Sequence, residues 1–334
     1  MKIPLVSVAV AAFNGERFIG EQLDSILAQD LPSIEVVVSD DASTDGTVGV
    51  VEEYARRAPV RLLPNGTRAG VSANFARAIA ACRGEYIALA DQDDIWKPGR
   101  LTRLVDAIGD SSLVYCKTTE VLDATGSVRR EHAFDSYHSF ARQYGSGRLT
   151  RFLLSENWVV SHTMMFKRPV IERALPFPDG LSFHDGWLAL VASTQGGLKF
   201  LDESWQVYRE HENSVTYAGA HARRKRAALA WRLLGDDFAR SWRARCKENM
   251  VIVEEALRRS ELTSDERWHA QQMRTYLESG LGRGRARDWW RAGRAVAPYF
   301  ASAIIQGTRW KVPWRALLGG IMVRSVDRRR LRSF

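Results

Sequence analysis

Tyr86-Ile87-Ala88-Leu89-Ala90-Asp91-Gln92-Asp93-Asp94-Ile95-Trp96 is an apolar run that breaks off into three carboxylates within four residues. The apolar half reads as a buried strand. Carboxylates this close repel one another, and the arrangement makes sense when a hard divalent cation bound through oxygen ligands offsets the repulsion. Mg²⁺ or Mn²⁺ is the expected cation, bridging phosphate oxygens of a ligand. The same residues also read as a solvated acidic turn that caps the next helix, with Asp94 as the entry residue.

Working outward, short β-branched runs alternate with amphipathic stretches from Leu5 to Tyr115. This is the pattern of successive βαβ units and predicts an α/β fold with a mainly parallel sheet flanked by helices. Expected strands are 5–11, 34–39, 60–63, 86–90 and 113–115. Phe18, Ile19, Leu23, Ile26 and Leu27 fall on one helical face between the first two. Pro98 is expected to open a further helix, where its fixed φ suits the first turn. An open parallel sheet binds its ligands beyond the carboxyl ends of its strands. Polar residues do gather there: Asn14 after the first strand, Asp40 to Asp45 after the second, Asp91 to Asp94 after the fourth.

The second of these clusters, Ser39-Asp40-Asp41-Ala42-Ser43-Thr44-Asp45-Gly46-Thr47, is ambiguous alone, since Thr44 or Asp45 could cap a helix without further function. Its pairing with Asp91 and Asp93 on one sheet favours a ligand site. Residues 120–150 are polar and weakly periodic and read as an excursion. Further on, 158–166, 198–201 and 205–208 look strand-like, and a helix follows Asp185.

The chain has 334 residues and 45% hydrophobic content, enough to bury a core. Its formal charge of +9 is unevenly placed. Residues 1–220 hold 22 Lys and Arg against 28 Asp and Glu, a net of −6, while 221–334 hold 26 against 11, a net of +15. Cys82, Cys116 and Cys246 match no zinc or CxxC spacing and read as structural thiols in a reducing compartment. The first apolar stretch is too short for a signal sequence, and no run reaches the roughly 18 residues of a membrane span. A cytoplasmic protein, peripheral on the inner face of the cytoplasmic membrane, is the expectation.

Taken in order, Phe13-Asn14, Val38 to Thr47, Gly84-Glu85-Tyr86, Asp91 to Trp96, His184-Asp185 and Tyr208-Arg209-Glu210-His211 resemble the family 2 glycosyltransferases, inverting enzymes with the glycosyltransferase A fold. The match runs from about Val6 to Thr216. The Asp91-Gln92-Asp93-Asp94-Ile95-Trp96 wording is most similar to the bacterial rhamnosyltransferase branch of surface polysaccharide synthesis. The resemblance implies a nucleotide-sugar donor, dTDP-rhamnose before UDP- or GDP-sugars, and a glycolipid or polysaccharide acceptor.

It also implies roles. Asp40 would accept from the nucleotide base, with Asp41 beside it and the backbone of Ala11, Phe13 and Asn14 framing the pocket. Asp91 and Gln92 would lie by the donor, Asp91 at the ribose, and Arg68 would reach phosphate. Asp93 would ligate the metal, with His211 as a late ligand to metal or diphosphate. Asp185 would be the base that removes the acceptor proton. His184, Trp187 and Trp158 would line the acceptor side. Asp185 can instead be read as a plain cap on a buried helix, which would lower its pKa. In the stretch Ser161-His162-Thr163-Met164, relatives carry Gly and a small residue where Ser161 and His162 stand.

The predicted catalytic domain covers 1–218. Residues 219–334 form a helical region with seven of the eleven tryptophans and the clusters Arg223-Arg224-Lys225-Arg226, Arg283 to Arg291 and Arg324 to Arg332. Short apolar stretches at 295–305 and 314–323, flanked by Arg and Trp, suit an interfacial helix on anionic lipid. No nucleic-acid motif accompanies the basic residues, and the polar chemistry sits in the acidic half, so nucleic acid is not an expected partner. A haloacid dehalogenase-like phosphatase would place Asp-x-Asp on the first strand, and a nicotinamide dehydrogenase would need Gly-x-Gly-x-x-Gly after it. A non-catalytic membrane scaffold of the same fold is the other alternative.

Overall fold

The computed structural model describes residues 5–122, 126–130, 141–142, 144–211, 236–259, 261–281, 283 and 286–296. The described residues group into two compact units, the first within 1–149 and 158–209, the second within 150–157 and 210–334.

The first unit is built on a seven-stranded sheet. Its strands are β1 (Val6–Ala12), β2 (Ile34–Asp40), β3 (Val60–Pro64), β4 (Tyr86–Asp91), β6 (Leu113–Lys117), β9 (Met164–Lys167) and β10 (Leu198–Ser204), in the order β10-β6-β9-β4-β1-β2-β3. All five expected strands form, within one or two residues at their ends. β4, β1, β2 and β3 run parallel, as do β6 and β10, while β9 lies antiparallel between β4 and β6. The sheet is therefore mostly parallel, as the alternation predicts.

Side chains of β1 alternate between two faces. Val6, Val8 and Val10 join a core with Ile19, Leu23 and Ile26 of α1 (Ile19–Leu27), Val51 of α2 (Thr47–Arg57), and Leu101, Leu104 and Ile108 of α4 (Arg100–Ile108). All of these are buried, each contributing roughly 1.5–3 kcal/mol on removal from water. The opposite face carries α3 (Val71–Ala81), with Phe75, Ala78 and Ile79 buried. The helix α4 does not start at Pro98. It begins at Arg100, after Gly99 turns the chain at φ 79°, a left-handed conformation that glycine adopts without a steric penalty.

Two stretches depart from their sequence reading. Only the end of 158–166 is extended: a single 3-10 turn at Ser161–Thr163 precedes β9. The excursion at 120–150 contains β7 (Glu120–Leu122) and β8 (Val128–Arg130), which pair antiparallel and join β11 (Gln206–Arg209) and β5 (Ile95–Trp96) in a small sheet ordered β5-β11-β7-β8. That sheet holds the residues after β4 against the end of the chain's first unit. Two further helices, α6 (Pro169–Ala174) and α7 (Asp185–Gln195), complete the unit.

The second unit comprises α5 (Thr150–Ser155), α8 (Asp236–Arg259), α9 (Ser264–Gly280) and α10 (Ala286–Val296). α9 opens with a reciprocal capping box between Thr263 and Glu266. Ser155 of α5 meets His269 of α9 at 3.2 Å, and Arg151 pairs with Asp265. The helical expectation for this region holds where it is described. The basic clusters at 223–226 and 324–332, the stretch 314–323 and all but the first two residues of 295–305 lie outside the described residues.

Candidate active site

The register of the sheet brings the predicted residues together. Ala12 lies opposite Asp40 on β2, and Ala11 opposite Asp91 on β4, so both acidic clusters leave the sheet on either side of the end of β1. The loop after β1 is stitched to each. The Gln92 side chain accepts from the Phe13 N–H at 2.9 Å and donates to the Phe13 carbonyl at 3.0 Å. Asn14, at φ 48°, donates its N–H to Ser43 Oγ at 2.9 Å and accepts from the Thr44 N–H at 2.8 Å. Against partial burial, Asp45 accepts from the Thr47 hydroxyl and from the N–H groups of Thr47 and Glu16, which together hold its carboxyl below the usual range.

Asp40 and Asp41 are both buried but point to different tasks. Asp40 accepts from the Ser43 N–H at 2.9 Å and from its hydroxyl, fixing the turn beyond β2. Asp41 accepts from the N–H groups of Ala69 (2.7 Å) and Gly70 (2.9 Å) and from Asn65 Nδ2 (3.1 Å), so its side chain organises the loop that carries Arg68. The Arg68 guanidinium rests 3.9 Å from the centre of the Phe13 ring. Asn74, buried inside α3, donates to the carbonyls of Ala12 (3.2 Å) and Ser39 (2.9 Å), bridging the ends of β1 and β2. No sequence signal singled out Asn74 for this role.

At the end of β4, ligand-type atoms of Asp91, Asp94 and His162 lie within 4.8 Å of one another. Asp94 is not a helix-entry residue. It is 1% exposed, no helix starts there, and burial pushes its carboxyl up to about 7, with Asp93 and Asp91 adding to the rise against His162. One of its oxygens accepts from the Arg209 N–H at 3.3 Å, while Oδ2 is buried without a hydrogen-bond partner among the described residues. His162 is buried on the 3-10 turn, its Nδ1 3.4 Å from Asp91 Oδ2. Burial opposes its imidazolium, and Asp94 and Asp91 outweigh that, so its pKa is raised. Asp93 is half-buried and lies outside this trio, and its carbonyl accepts from Arg209 Nε at 3.0 Å. An oxygen-rich set with a partnerless buried carboxylate oxygen suits a hard divalent cation.

Asp185 opens α7 and is half-buried. Its Oδ1 accepts from the Gly186 N–H at 2.7 Å, yet burial outweighs this bond, and with Asp91 adding its charge the carboxyl rises to about 6. A plain helix cap would have moved the other way. The sheet therefore brings the expected base into the field of Asp91. His184 is buried between Phe75 (ring centres 4.2 Å apart) and Phe177 (5.9 Å), and burial lowers its pKa to about 4. Neither of its ring nitrogens has a partner among the described residues.

The two tryptophans expected on the acceptor side are core residues. Trp187 is fully buried and donates its indole N–H to the Ala174 carbonyl at 2.9 Å, tying α7 to α6. Trp158 is 6% exposed and donates to the Tyr115 hydroxyl at 2.9 Å. Their aromatic area is used in packing, so neither presents a face to an acceptor. His211 follows β11 at the start of the second unit and is half-buried. His162 was visible in the sequence only as a departure in the stretch before Thr163-Met164.

Residues 7–175, half of the chain, match the family described as Glycosyl transferase family 2. An uncharacterized protein of Mycobacterium tuberculosis is 30% identical over 229 residues, which is 66% of this chain and 63% of that protein. The chain thus spans a little under two thirds of that relative's length. The dTDP-rhamnosyl transferase RfbG of Shigella flexneri is 28% identical over 217 residues, 61% of this chain and 72% of RfbG. The structure of S. aureus TarS in complex with UDP-GlcNAc aligns with a TM-score of 0.57 at 18% identity, covering 98% of this chain and 92% of that one. The mannosyltransferase PcManGT of Pyrobaculum calidifontis, in complex with GDP-Man and Mn²⁺, aligns at 0.55 and 20% identity over 99% and 88%. At such identities these neighbours share the fold, the glycosyltransferase A fold. Nothing among them supports a phosphatase. With its acidic clusters gathered at the end of β1 and its first half matched along the sheet, the chain belongs to glycosyl transferase family 2.

Proposed function

We propose that this chain transfers a hexose, with rhamnose from dTDP-rhamnose favoured, to a hydroxyl of a lipid-linked or polysaccharide acceptor, inverting the anomeric carbon. The kinship with RfbG, a dTDP-rhamnosyl transferase, supports rhamnose, and a surface-polysaccharide setting such as O-antigen is part of the proposal. TarS and PcManGT hold UDP-GlcNAc and GDP-Man, which keeps UDP- and GDP-sugars as alternative donors.

The observation that carries the reading is the placement of Asp40 and Asp91 on either side of the end of β1, together with Asp185, whose carboxyl is raised to about 6 first by burial and then by the charge of Asp91. A carboxylate with a pKa near 6 is ionised at neutral pH and still basic enough to take a proton in a transition state. Asp185 removes the acceptor proton as the acceptor oxygen attacks the anomeric carbon. The new C–O bond forms on one face while the bond to the diphosphate oxygen breaks on the other. Phe13, Asn14, Asp40 and Asp91 frame the nucleotide, with Gln92 and Asp41 holding the two loops, and Arg68 extends from the second loop toward the diphosphate. A divalent cation, Mg²⁺ or Mn²⁺, would be held by Asp93 among its neighbouring carboxylates and would supply positive charge to the departing diphosphate when bound. His184 contributes to the acceptor side.

The net +15 of residues 221–334 and their tryptophans support attachment to the anionic inner face of the cytoplasmic membrane. Among the described residues, no helix is long and apolar enough to cross a membrane.

Calorimetry with a panel of nucleotide sugars and nucleoside diphosphates, with Mg²⁺ or Mn²⁺ and then with chelator, tests the donor assignment. Metal-dependent binding of dTDP or dTDP-rhamnose that Asp93→Ala abolishes is the expected result. Absence of binding by every nucleotide would overturn it.

A further inference from the structure

Arg100 is wholly buried in α4 with no carboxylate bonded to it among the described residues, and its hydrogen bonds fix the direction of a chain that ends at Asp91. Its guanidinium packs 4.2 Å from the centre of the Trp96 ring, donates through Nη2 to the His162 carbonyl at 2.6 Å, and donates through Nη1 to Gln206 Oε1. A guanidinium can only donate, so the Gln206 oxygen is assigned as the acceptor and its amide nitrogen must donate. That nitrogen reaches Thr118 Oγ1. Thr118 is 4% exposed, and its hydroxyl has one other partner among the described residues, His162 Nε2 at 3.3 Å.

The hydroxyl already receives a hydrogen from Gln206, so its own hydrogen has a single acceptor available, the lone pair of His162 Nε2. A proton on Nε2 instead would leave the buried Thr118 hydrogen without an acceptor and would turn the Nδ1 lone pair toward the Asp91 carboxylate. Both are costly for buried groups. With the proton on Nδ1, the Gln206 amide, the Thr118 hydroxyl and His162 Nε2 are all paired, and Nδ1–H points along the 3.4 Å contact to Asp91 Oδ2. This matters beside the carboxylate trio. A histidine can ligate a cation only through a free lone pair, and here Thr118 occupies one nitrogen while the proton occupies the other.

From this chain of donors we infer that His162 is a positioning residue: it donates Nδ1–H to Asp91, turning that carboxylate to meet the donor nucleotide, and it is not a ligand of the cation. Arg100, Gln206 and Thr118 set its tautomer. The role of Asp91 toward the nucleotide rests on the proposed function above, whereas the tautomer does not.

The first measurement is a long-range proton–nitrogen NMR correlation on the full ¹⁵N-labelled chain followed from about pH 7 to about pH 10, because Asp94 and Asp91 raise the His162 pKa above the ordinary imidazole value and the neutral ring is read at the upper end. The His162 signal is assigned by its absence in His162→Asn. A protonated Nδ1 with an accepting Nε2, unchanged by Mg²⁺ alone, is expected. A proton on Nε2, or loss of the Nδ1 proton on adding Mg²⁺, overturns the inference. The second measurement is nucleoside diphosphate affinity. His162→Asn places an amide N–H where Nδ1–H stood and should stay within about threefold of wild type, while His162→Leu should weaken binding about tenfold, the equilibrium worth of one hydrogen bond. Equal losses in both folded variants would also overturn it. If the wild-type chain binds no nucleotide, the proposed function fails and the tautomer still decides the inference.

Discussion

The Gln92 side chain grips the backbone of Phe13 with two hydrogen bonds, 2.9 Å to its N–H and 3.0 Å to its carbonyl, as a neighbouring strand would. Gly15 makes room for this grip: a Cβ there would stand 2.1 Å from Gln92 Oε1. Gly15→Ala should therefore swing the flexible Gln92 end away and release Phe13. Each bond is worth about 0.5–1.5 kcal/mol. Gly15→Ala and Gln92→Ala should each lower Tm and nucleotide affinity, and the double variant should be no worse than Gln92→Ala alone. A thermal-unfolding and calorimetry cycle checks this, and additive losses would refute it.

Asp185 carries a prediction in pH. Its carboxyl is raised to about 6, first by burial and then by Asp91. As a base it must be ionised, so kcat should fall with unit slope below about pH 6. The stability sign is opposite. The folded protein holds this proton more tightly than the unfolded chain, so ionising Asp185 weakens the fold as pH rises from the unfolded value through about 6. Asp185→Asn removes that penalty and keeps an oxygen for the Gly186 N–H. It should lower kcat by about two orders of magnitude or more while Tm at about pH 8 rises or holds.

Asp41 anchors the loop before α3. Asp41→Ala would leave the N–H groups of Ala69 and Gly70 without their acceptor, at a cost of about 1–3 kcal/mol. Amide exchange at residues 65–70 should accelerate, and nucleotide affinity should fall with it as Arg68 loses its place over Phe13. Asp41→Asn retains one acceptor oxygen and should be milder. Unchanged exchange in the alanine variant would show that the loop is held some other way.

Asn74 should tolerate no acceptor in its place. Asn74→Asp turns an N–H donor into an oxygen facing the carbonyls of Ala12 and Ser39, and should destabilise the protein more than Asn74→Ala does. Urea unfolding of the two variants ranks them. The reverse order would contradict the capping of the strand ends.

The parallel core was legible because its signals are local. Val6, Val8 and Val10 repeat with the strand period, Ile19, Leu23 and Ile26 with the helical one, and the carboxylates punctuate the strand ends. Asp40 and Asp91 stood out by the same local signal, whereas Asp185, at the start of α7, was singled out only by the family resemblance; the roles of all three belong to the proposed function. Trp187 and Trp158 misled, because a tryptophan looks alike in sequence whether its indole meets a sugar or a carbonyl of the core. For Asp94 the alternative reading as a helix-entry residue does not hold, since no helix starts there and the residue is buried with the Arg209 N–H of β11 on one of its oxygens.

The residues alone thus determined the sheet, its helices, and which strand ends gather carboxylates, since periodicity and polar punctuation act over a few neighbouring positions. Tertiary structure decided everything that depends on partners distant in the chain. It turned the expected strand before Met164 into a 3-10 turn, set His162 beside Asp91, linked that histidine to Arg100 through Gln206 and Thr118, and raised Asp185 where a cap would have been lowered. Burial and hydrogen-bond direction belong to the packed molecule, because a side chain's proton and charge are set by whatever the fold places against it.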